Sequence, residues 1–595
     1  MPYDRPTVAA NVGLGAARGA VQVGHAGPST ASAANDRDRS IPGPVLTGLA
    51  YGLVALPFVV ALGRLLSQSS AHLILTDDLA LIDLHTREAV AWHQQLGVFD
   101  RNGWSHPGPS YFYLLGMAFR IFGSNARSLF LGATFLNGAA AVACVAVVRR
   151  WTTATRALWS SFALGLLIFA MAASGAGNTT YSETVLGALV SPWNPLVVIL
   201  PLLLLLLLCA GAMARSTLAA VGVLVVGTFV IQTDVSTFPL VAAASVAGGV
   251  TWLVRTLLRR RDPTATSGRP LAVRGRVLVV AGLGLVALAW VPPLVQQFTN
   301  NPGNVTLIYR YFTSGRPGHG WVTALGATAA STAVYLVGPS EVMLKALEGS
   351  QPNQVLAALV LVVTVAVGLA AVGLGRGRRP RFGAALGGLA ALGCLAVAVG
   401  VSHLIGHIYG YLVVWAVVLP AAALISIGSV RFPGWASAWL SQHVGRARLR
   451  GALVGLVAVV SVASAVRVAA MPPLTRVSDP EVAQIAALVV PHLKPGETVS
   501  VDDVAAGHGK NDVLINIERF FGLVNVLDRD GYQPKVNKLW VVELAPGFFD
   551  NGTAPKTVLL TTWTAFSPSE HGYLGRVGDL AVAVVGRGQV PLTLI

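Results

Sequence analysis

Two adjacent carboxylates, Asp77 and Asp78, directly follow the first long apolar segment of the chain. Ionisable groups at a membrane boundary are costly to place and are usually functional. Two like charges raise each other's pKa, which suits a general base that works near neutral pH. The alternative is structural: the pair begins a solvated loop and caps the amphipathic helix predicted between Thr76 and Leu96.

Histidines supply the next candidates. His106 stands in a His-Pro-Gly-Pro run before three aromatic residues, a rigid turn whose aromatic side chains suit a membrane interface. The same run would also serve only to return the loop to the membrane surface. His403 and His407 are four residues apart and so would share one face of a helix. Such a pair is able to bind a metal ion, although interfacial histidines bonded to backbone carbonyls have the same spacing.

Arginines on the same predicted side of the membrane are candidates for phosphate binding. Arg310 and Arg316 offer the planar fork that makes bidentate hydrogen bonds to phosphate oxygens; the alternative is ordinary surface charge. Other polar or aromatic residues at that side are Glu183, Trp193, Asn194, Asp234, Asn304 and, beside the histidine turn, Tyr111. The polar groups thus gather on one side of the membrane.

The elements that must position these residues are membrane spans. Of 595 residues, 54% are hydrophobic and 11% charged, against about 25% charged in soluble domains. Runs of about 20 apolar residues are long enough to cross a bilayer, and eleven are predicted: Pro44–Leu66, Leu129–Val148, Ala157–Ala176, Pro195–Ala214, Thr217–Val235, Phe238–Leu258, Val277–Val295, Gln354–Leu374, Phe382–Val401, Tyr409–Ile427 and Gly451–Ala470. The interrupted segment Ala324–Leu347 is interpreted as interfacial or re-entrant.

Basic residues set the orientation of these spans. The net charge is +16, and the arginines cluster in short loops between spans, as in Arg149-Arg150 and between Arg376 and Arg381. This pattern follows the positive-inside rule and does not indicate nucleic-acid binding. It predicts a multi-pass protein of the plasma membrane, with a cytoplasmic N-terminus and an extracytoplasmic C-terminal domain.

Composition divides the chain into three parts. Residues 1–43 are predicted to be a disordered cytoplasmic tail, and residues 44–475 a membrane domain with long outer loops at 67–128 and 296–353. Residues 476–595 hold ten basic and thirteen acidic residues and five of the six lysines, which is typical of a soluble domain. A helix from Pro480, a helix over Val513–Leu527 and strands at Val499–Val501, Leu539–Val542, Thr557–Leu560 and Leu580–Val585 predict an α/β fold for it.

Four short motifs resemble those of the GT-C superfamily of integral-membrane glycosyltransferases, in particular its actinobacterial arabinosyl- and mannosyltransferase-like members. They are Asp77-Asp78, His106-Pro-Gly-Pro109, Trp193-Asn-Pro195 and Pro302-Gly-Asn304. The second departs from the commoner His-Pro-Pro form. The resemblance implies a GT-C-like fold: a polytopic α-helical membrane protein of about eleven spans with an extracytoplasmic α/β domain.

The resemblance also implies an activity. Members take a sugar from a polyprenyl-phosphate donor in the bilayer, here arabinofuranose or mannose, and pass it with inversion to a cell-envelope glycan, lipid or protein. By the family pattern Asp77 is the base, while Asp78 orients the acceptor or helps hold a cation. The remaining candidates bind substrate, with Arg310, Arg316, His403 and His407 near the phosphate, and the C-terminal domain binds the acceptor. A divalent cation, Mg²⁺ or Mn²⁺, is allowed but not required, with Asp78, His403 and His407 as its candidate ligands. An envelope-lipid transporter and a non-catalytic assembly scaffold are the alternatives.

Overall fold

The computed structural model describes residues 42–69, 73–100, 102–173, 185–260, 273–338, 353–375, 381–430, 446–504, 512–537, 546–562 and 568–587, together with residues 347, 544 and 589. Glu183, the predicted strand Leu539–Val542 and all but the last two residues of the predicted N-terminal tail lie outside the described residues.

Helices dominate the described chain up to the C-terminal domain. In chain order they are α1 (Gly43–Leu66), α2 (Asp77–Val90), α3 (Ser110–Phe122), α4 (Ala126–Trp151), α5 (Ala154–Met171), α6 (Asn194–Met213), α7 (Thr217–Thr233), α8 (Phe238–Arg260), α9 (Val273–Thr299), α10 (Asn304–Phe312), α11 (Trp321–Val337), α12 (Gln354–Leu374), α13 (Arg381–Ser402), α14 (Val418–Ser429), α15 (Arg446–Ala469), α16 (Pro480–Val489) and α17 (Asp512–Arg529). A short hairpin, β1 (Phe99–Asp100) and β2 (Trp104–Ser105), separates α2 from α3.

Nine helices in the described part of the chain are long and apolar enough to cross a membrane. They are α1, α4, α5, α6, α8, α9, α12, α13 and α15. The protein is therefore a polytopic α-helical membrane protein, as the sequence predicts.

Two of the eleven predicted spans are shorter helices. α7 has 17 residues, because Asp234 leaves the helix in an extended conformation and its carboxylate accepts the N–H of Ser236. α14 has 12 residues, because two 3-10 turns, Gly410–Leu412 and Val414–Val417, precede it. Both helices are predominantly apolar and pack within the bundle.

α11 occupies most of the segment interpreted as interfacial or re-entrant. Just before it, His319 donates its backbone N–H to Ser402 at the C-terminal end of α13. Its C-cap residue, Gly338, lies against the carbonyl of Ala170 at the C-terminal end of α5. Whether this segment crosses the bilayer stays a prediction.

The C-terminal domain is an α/β domain, as predicted. Its sheet consists of β3 (Thr498–Val504), β4 (Gln533–Val536), β5 (Lys556–Thr562), β6 (Tyr573–Val577) and β7 (Leu580–Gly586), in the order β4-β3-β5-β7-β6. β3 is parallel to β4 and β5, and β7 is antiparallel to β5 and β6. Asp479 caps α16 by accepting the N–H groups of Glu481 and Val482, so this helix begins where the sequence predicts.

The two domains share one apolar core. It continues from the membrane helices through Leu75, just before α2, and Leu79, in its first turn. From there it reaches Phe520 and Leu523 on α17 and then the sheet. α2 lies between α3 on one side and α17 on the other. The acidic pair at the start of α2 is thus held where the two domains meet.

Candidate functional site

A cavity of about 160 Å³ lies in front of α2 and contains most of the polar groups that could do chemistry. We call it the carboxylate cavity, because Asp78, Asp100 and Asp234 all line it. The rest of its wall comes from the β1–β2 hairpin, the start of α6, the turn after α7, α10 and the segment before α14, including Trp104, His106, Trp193, Asn194, Ser236, Tyr311 and Tyr411.

Asp78 stands in the first turn of α2, where the helix dipole favours a carboxylate. Its Oδ2 accepts a hydrogen bond of 2.6 Å from the indole Nε1–H of Trp193. Burial raises the pKa of the Asp78 carboxyl, the bond from Trp193 opposes that increase, and the charge of Asp100 adds to it. A carboxylate whose pKa is raised is a stronger proton acceptor than an ordinary aspartate, as a general base requires.

Asp77 differs from its neighbour in conformation and in placement. It has a φ of 50°, in the left-handed region that costs a residue with a side chain about 1–3 kcal/mol. It is not among the residues that line the carboxylate cavity. The sequence treats the two acids as a pair, whereas the structure brings only Asp78 into the cavity.

Asp100 is a cavity carboxylate that the sequence analysis missed. It ends β1, and its Oδ1 accepts both the backbone N–H (2.8 Å) and the side-chain Nδ2–H (2.6 Å) of Asn102. The signal was present as Asn102-Gly103 between two short apolar stretches, a hairpin-turn pattern. That pattern would have placed Asp100 at a strand end beside the histidine turn.

Asp234 occupies the turn between α7 and the 3-10 turn that precedes α8. Its Oδ1 accepts the backbone N–H of Ser236 at 2.9 Å. Burial raises the pKa of Asp234 to about 7, the bonds from Ser236 oppose that increase, and the charge of Asp100 adds to it. Asp234 can therefore change its protonation near physiological pH.

His106 ties three elements together as a neutral ring. Its Nδ1 accepts the backbone N–H of Val235 at 3.0 Å, so the ring proton is on Nε2. Nε2 lies 3.2 Å from Nδ2 of Asn194. Since both groups would then be donors, the amide of Asn194 has to be turned so that its Oδ1 accepts the Nε2 proton. Burial lowers the pKa of His106 to about 3, so His106 positions the wall of the cavity and does not carry charge.

Glycine at position 108 of the His106–Pro109 turn leaves room for the side-chain amide of Gln232. A Cβ added at Gly108 would lie 2.4 Å from Cδ of Gln232, closer than any van der Waals contact allows. Gln232 uses this space to accept hydrogen bonds from the N–H and hydroxyl of Ser110 and to donate to the carbonyl of Ala289. The departure from the His-Pro-Pro form therefore has a local steric reason.

Aromatic rings form one side of the cavity. Trp193 and Tyr411 lie 5.4 Å apart between ring centroids, and Tyr411 stacks on Tyr409 at 5.7 Å with nearly parallel planes. Trp104 meets the edge of His106 at 5.9 Å. Flat rings beside carboxylates are well suited to hold a sugar by its apolar face and its hydroxyl groups.

Two predicted substrate-binding residues support the wall from behind. The side-chain amide of Asn304 accepts the N–H of Ser105 at 2.8 Å and donates to its carbonyl at 2.7 Å. The hydroxyl of Tyr111, which is buried, donates to the carbonyl of Pro192. Neither residue lines the carboxylate cavity.

Other predicted site residues stand apart from the cavity. Arg310 and Arg316 are exposed and do not line it. His403 and His407 do not share a helical face, which corrects the sequence prediction, because α13 ends at Ser402. Nδ1 of His403 donates to the carbonyl of Val399, while His407 packs against Tyr409. Among the described residues, no group of three or more His, Cys, Asp or Glu side chains is placed to hold a metal ion.

A larger apolar space of about 770 Å³ opens between α3, α4, α6, α7 and α9. We call it the membrane groove; its lining includes Ala140, Leu204, Phe229 and Leu285. Arg120 lies in the same lining, with its guanidinium 5.3 Å above the ring of Trp92. Ser110 also lines the groove, four residues after His106 of the carboxylate cavity. A chain-like apolar ligand in the groove would end next to the cavity.

Comparison with known proteins finds two solved structures of ArnT from Cupriavidus metallidurans, one bound to undecaprenyl phosphate and one in the apo state. The first has 14% sequence identity and a TM-score of 0.48 over 92% of this chain and 99% of that chain. The second has 13% identity and a TM-score of 0.46 over 90% and 98%. No protein-family model and no curated protein matches the sequence. At this level the likeness assigns neither a family nor an activity to the chain.

Proposed function

We propose that this protein is a membrane glycosyltransferase of the GT-C type. It moves a sugar from a polyprenyl-phosphate donor to a hydroxyl group of a cell-envelope acceptor, and Asp78 is its general base. The observation that carries the proposal is the position of the Asp78 carboxylate in a small cavity, beside aromatic rings and next to an apolar membrane groove. A transporter would instead distribute polar groups along a path through the bilayer midplane.

The reaction needs one base and one leaving group. Asp78 accepts the proton of the acceptor hydroxyl, and the oxygen forms a bond to the anomeric carbon of the donor sugar. The bond from that carbon to the phosphate oxygen breaks, and its electron pair leaves with the polyprenyl phosphate. Attack opposite the leaving group inverts the anomeric centre. Among the described residues, the carboxylates and histidines do not form a set of three ligands for a divalent cation.

Asp78 is a better candidate for the base than Asp77, although the family pattern favours Asp77. Asp78 lines the cavity, and its pKa is raised by burial. Asp77 has a positive φ at the start of α2 and does not line the cavity. Asp100 and Asp234 are left to bind sugar hydroxyls, as carboxylates commonly do.

The membrane groove supports a lipid-linked donor. Its lining is almost entirely apolar, and it lies among helices that cross the bilayer, so an isoprenoid chain can occupy it without losing its lipid surroundings. The groove reaches Pro109 and Ser110, at the start of α3, directly after the histidine turn. A chain held there would present its phosphate-linked sugar toward the carboxylate cavity.

Charge supports an extracytoplasmic site. Arg149 and Arg150 lie in the last turn of α4, and Arg149 bonds to Thr47 at the start of α1. Asp78 follows the other end of α1, so these arginines and the cavity lie at opposite ends of the bundle. By the positive-inside rule the cavity and the C-terminal domain face the outside of the plasma membrane. Arabinofuranose or mannose is the proposed sugar, and an envelope glycan, glycolipid or protein is the proposed acceptor.

The first experiment is native mass spectrometry of the full chain purified in detergent. A bound mass of polyprenyl phosphate carrying one sugar would identify the donor. Transfer is then followed in nanodiscs with that donor and a set of envelope oligosaccharides. A complete glycolipid that co-purifies, together with no transfer to any acceptor, would contradict the proposal and favour lipid transport.

Variants of the acidic pair test the base. Asp78→Asn is expected to lower kcat at least about 100-fold, the lower end of what a general base contributes. Asp77→Asn is expected to lower kcat less than about tenfold. Asp530→Asn, an exposed carboxylate after α17, is the matched control and should leave kcat unchanged. Full activity of Asp78→Asn together with an inactive Asp77→Asn would assign the base to Asp77.

A filled groove tests the lipid site. Ala140→Phe places a ring inside the membrane groove and is expected to raise the donor KM and reduce the co-purified lipid. Val246→Phe, on the exposed surface of α8, adds a ring of the same size where nothing has to be displaced. If both variants bind the donor equally well, the groove is not the site of the lipid chain.

A further inference from the structure

α2 carries Asp78 at its start and an ion cluster of the C-terminal domain one turn further along. Asp83 is completely buried, and its carboxylate receives the Nε–H of Arg529 at 2.8 Å together with a second bond from Nη2 of the same guanidinium. Such two-point pairing of arginine with a carboxylate fixes orientation as well as distance. Arg529 is the last residue of α17, so this contact joins the membrane domain to the C-terminal domain.

Arg87 completes the cluster from the α2 side. Its Nη1 lies 3.0 Å from Asp83, one helical turn earlier. Its Nη2 donates to the side-chain oxygen of Asn525 at 2.6 Å and lies 3.0 Å from Asp528. We call the five residues Asp83, Arg87, Asn525, Asp528 and Arg529 the α2–α17 clasp. Two arginines and two carboxylates balance in charge, so this partly buried cluster needs no further ion.

The chain that leads into α2 is also held by the C-terminal domain. Ile74 donates its backbone N–H to the hydroxyl of Ser478 and accepts the N–H of Asp479, both at 3.0 Å. Gly522 of α17 lies against Thr76 so closely that an added Cβ would be 3.0 Å from the threonine methyl group. Segment 74–76 is therefore fixed on both sides before the left-handed residue Asp77.

We propose that the C-terminal domain positions the general base: the α2–α17 clasp and the contacts at Ile74 and Gly522 hold the first turn of α2 so that Asp78 points into the carboxylate cavity. Asp83, Arg87 and Arg529 are positioning residues in this proposal, which rests on the proposed function. The resemblance implies instead that this domain binds the acceptor. The two roles differ in the kinetic constant that they control.

A positioning role acts on kcat. A misplacement of the base by about 1 Å lowers the rate about 100-fold in general. No residue of the clasp lines the carboxylate cavity or the membrane groove, so a change in the clasp is not expected to alter binding there. Arg529→Ala is therefore expected to lower kcat at least about tenfold with both KM values within about twofold. Arg529→Lys keeps the charge but loses the two-point geometry, and an intermediate kcat is expected.

The matched control is Arg576→Ala in the same domain. Arg576 is about half exposed and lies 3.6 Å from Asp579 at the surface, so its removal should change neither kcat nor KM. Hydrogen exchange of residues 73–90 in the full chain gives a second, independent readout. Exchange in this segment should rise in Arg529→Ala and stay at the wild-type level in Arg576→Ala.

The outcomes separate this proposal from the proposed function. A rise in acceptor KM at constant kcat, or faster exchange at constant kcat, would overturn the positioning role while leaving the transferase intact. If the wild-type chain transfers no sugar, the proposed function fails, and unchanged exchange in Arg529→Ala would then overturn the clasp as well. If Arg529→Ala does not fold, Arg529→Lys decides, and wild-type kcat in that variant counts against the proposal.

Discussion

The indole Nε1–H of Trp193 donates to Oδ2 of Asp78 across 2.6 Å, joining the residue before α6 to the first turn of α2. This bond connects the Trp-Asn-Pro motif to the acidic pair, two features that are more than a hundred residues apart in the sequence. A hydrogen bond to the charged form of a carboxyl lowers its pKa. Trp193 therefore offsets part of the pKa increase that burial causes at Asp78.

Replacing Trp193 by Phe removes this donor and keeps most of the ring. The pKa of Asp78 should rise. In the plot of kcat/KM against pH, the rising limb, where the rate increases as the base loses its proton, should therefore move to higher pH. A hydrogen bond to a charged group contributes about 1.5–3 kcal/mol, and we expect kcat/KM to fall at least about tenfold at pH 7 and to recover partly at pH 9. The measurement is the pH profile of transfer in nanodiscs.

The control for this variant is Trp159→Phe. Trp159 donates to the carbonyl of Leu424 in the bundle and is not part of the cavity wall. Trp159→Phe thus removes the same kind of hydrogen bond, an indole N–H donor, away from Asp78. A rising limb that moves to the same extent in both variants would show that the effect is not specific to Asp78.

Asp234 should make the protein less stable as the pH rises. Its pKa in the folded chain is about 7, above the ordinary 3.8, so the folded chain holds this proton more tightly than the unfolded chain. The free energy of unfolding therefore falls as the pH rises from about 4 to about 7. The loss is about 1.4 kcal/mol for each pH unit. Asp234→Asn removes the charge and keeps an oxygen for the N–H of Ser236.

The thermal unfolding of Asp234→Asn and the wild type should therefore diverge with pH. We expect the advantage of the variant to grow by about 2–3 kcal/mol from pH 5 to pH 8.5. Asp530→Asn, at an exposed carboxylate, should show no such divergence. The prediction fails if the difference between Asp234→Asn and the wild type is the same at both pH values.

Gly108→Ala should destabilise the chain by about 1–3 kcal/mol, the usual cost of overpacking. The new Cβ would lie 2.4 Å from Gln232 and displace the amide that holds Ser110. Gly249→Ala on α8 meets nothing within 4 Å and should be neutral or slightly stabilising. Equal melting temperatures for Gly108→Ala and the wild type would show that the turn can widen at no cost.

The length of the apolar runs and the residues that begin helices made most of the fold predictable. Runs of about 20 apolar residues correspond to the long helices, and the Asp479-Pro480 start of α16 is where the sequence placed it. The short strands β4 and β6 were missed, because their burial depends on neighbours in the sheet and not on a local pattern. The length of α7 was overestimated because the local turn in which Asp234 accepts the N–H of Ser236 was counted as part of the span.

The site was predictable only in part. Five residues selected from the sequence line the carboxylate cavity: Asp78, His106, Trp193, Asn194 and Asp234. The helical periodicity that placed His403 and His407 on one face ends at Ser402, and nothing in the apolar pattern marks that end. The clasp between Asp83 and Arg529 joins residues 446 positions apart, a distance at which sequence pattern carries no information about pairing.

Asp100, the carboxylate that the sequence analysis missed, provides a prediction of opposite sign to Trp193→Phe. Its negative charge raises the pKa of both Asp78 and Asp234. Asp100→Asn removes this repulsion, so both pKa values should fall and the rising limb of kcat/KM should move to lower pH.

The size of the pH shift in Asp100→Asn follows from how strongly each contribution acts on the pKa values of Asp78 and Asp234. At each of the two carboxyls burial acts first and the charge of Asp100 last, so the shift from Asp100→Asn should be smaller than that from Trp193→Phe. Asn102→Ala is the control: it removes the side-chain donor to Asp100 and keeps the charge, so it should not move the limb to lower pH. A limb that stays at the wild-type pH in Asp100→Asn would mean that solvent in the cavity screens Asp100 from Asp78. Loss of the rising limb in Asp100→Asn, together with loss of activity, would mean that Asp100, and not Asp78, is the group whose ionisation the rate reports.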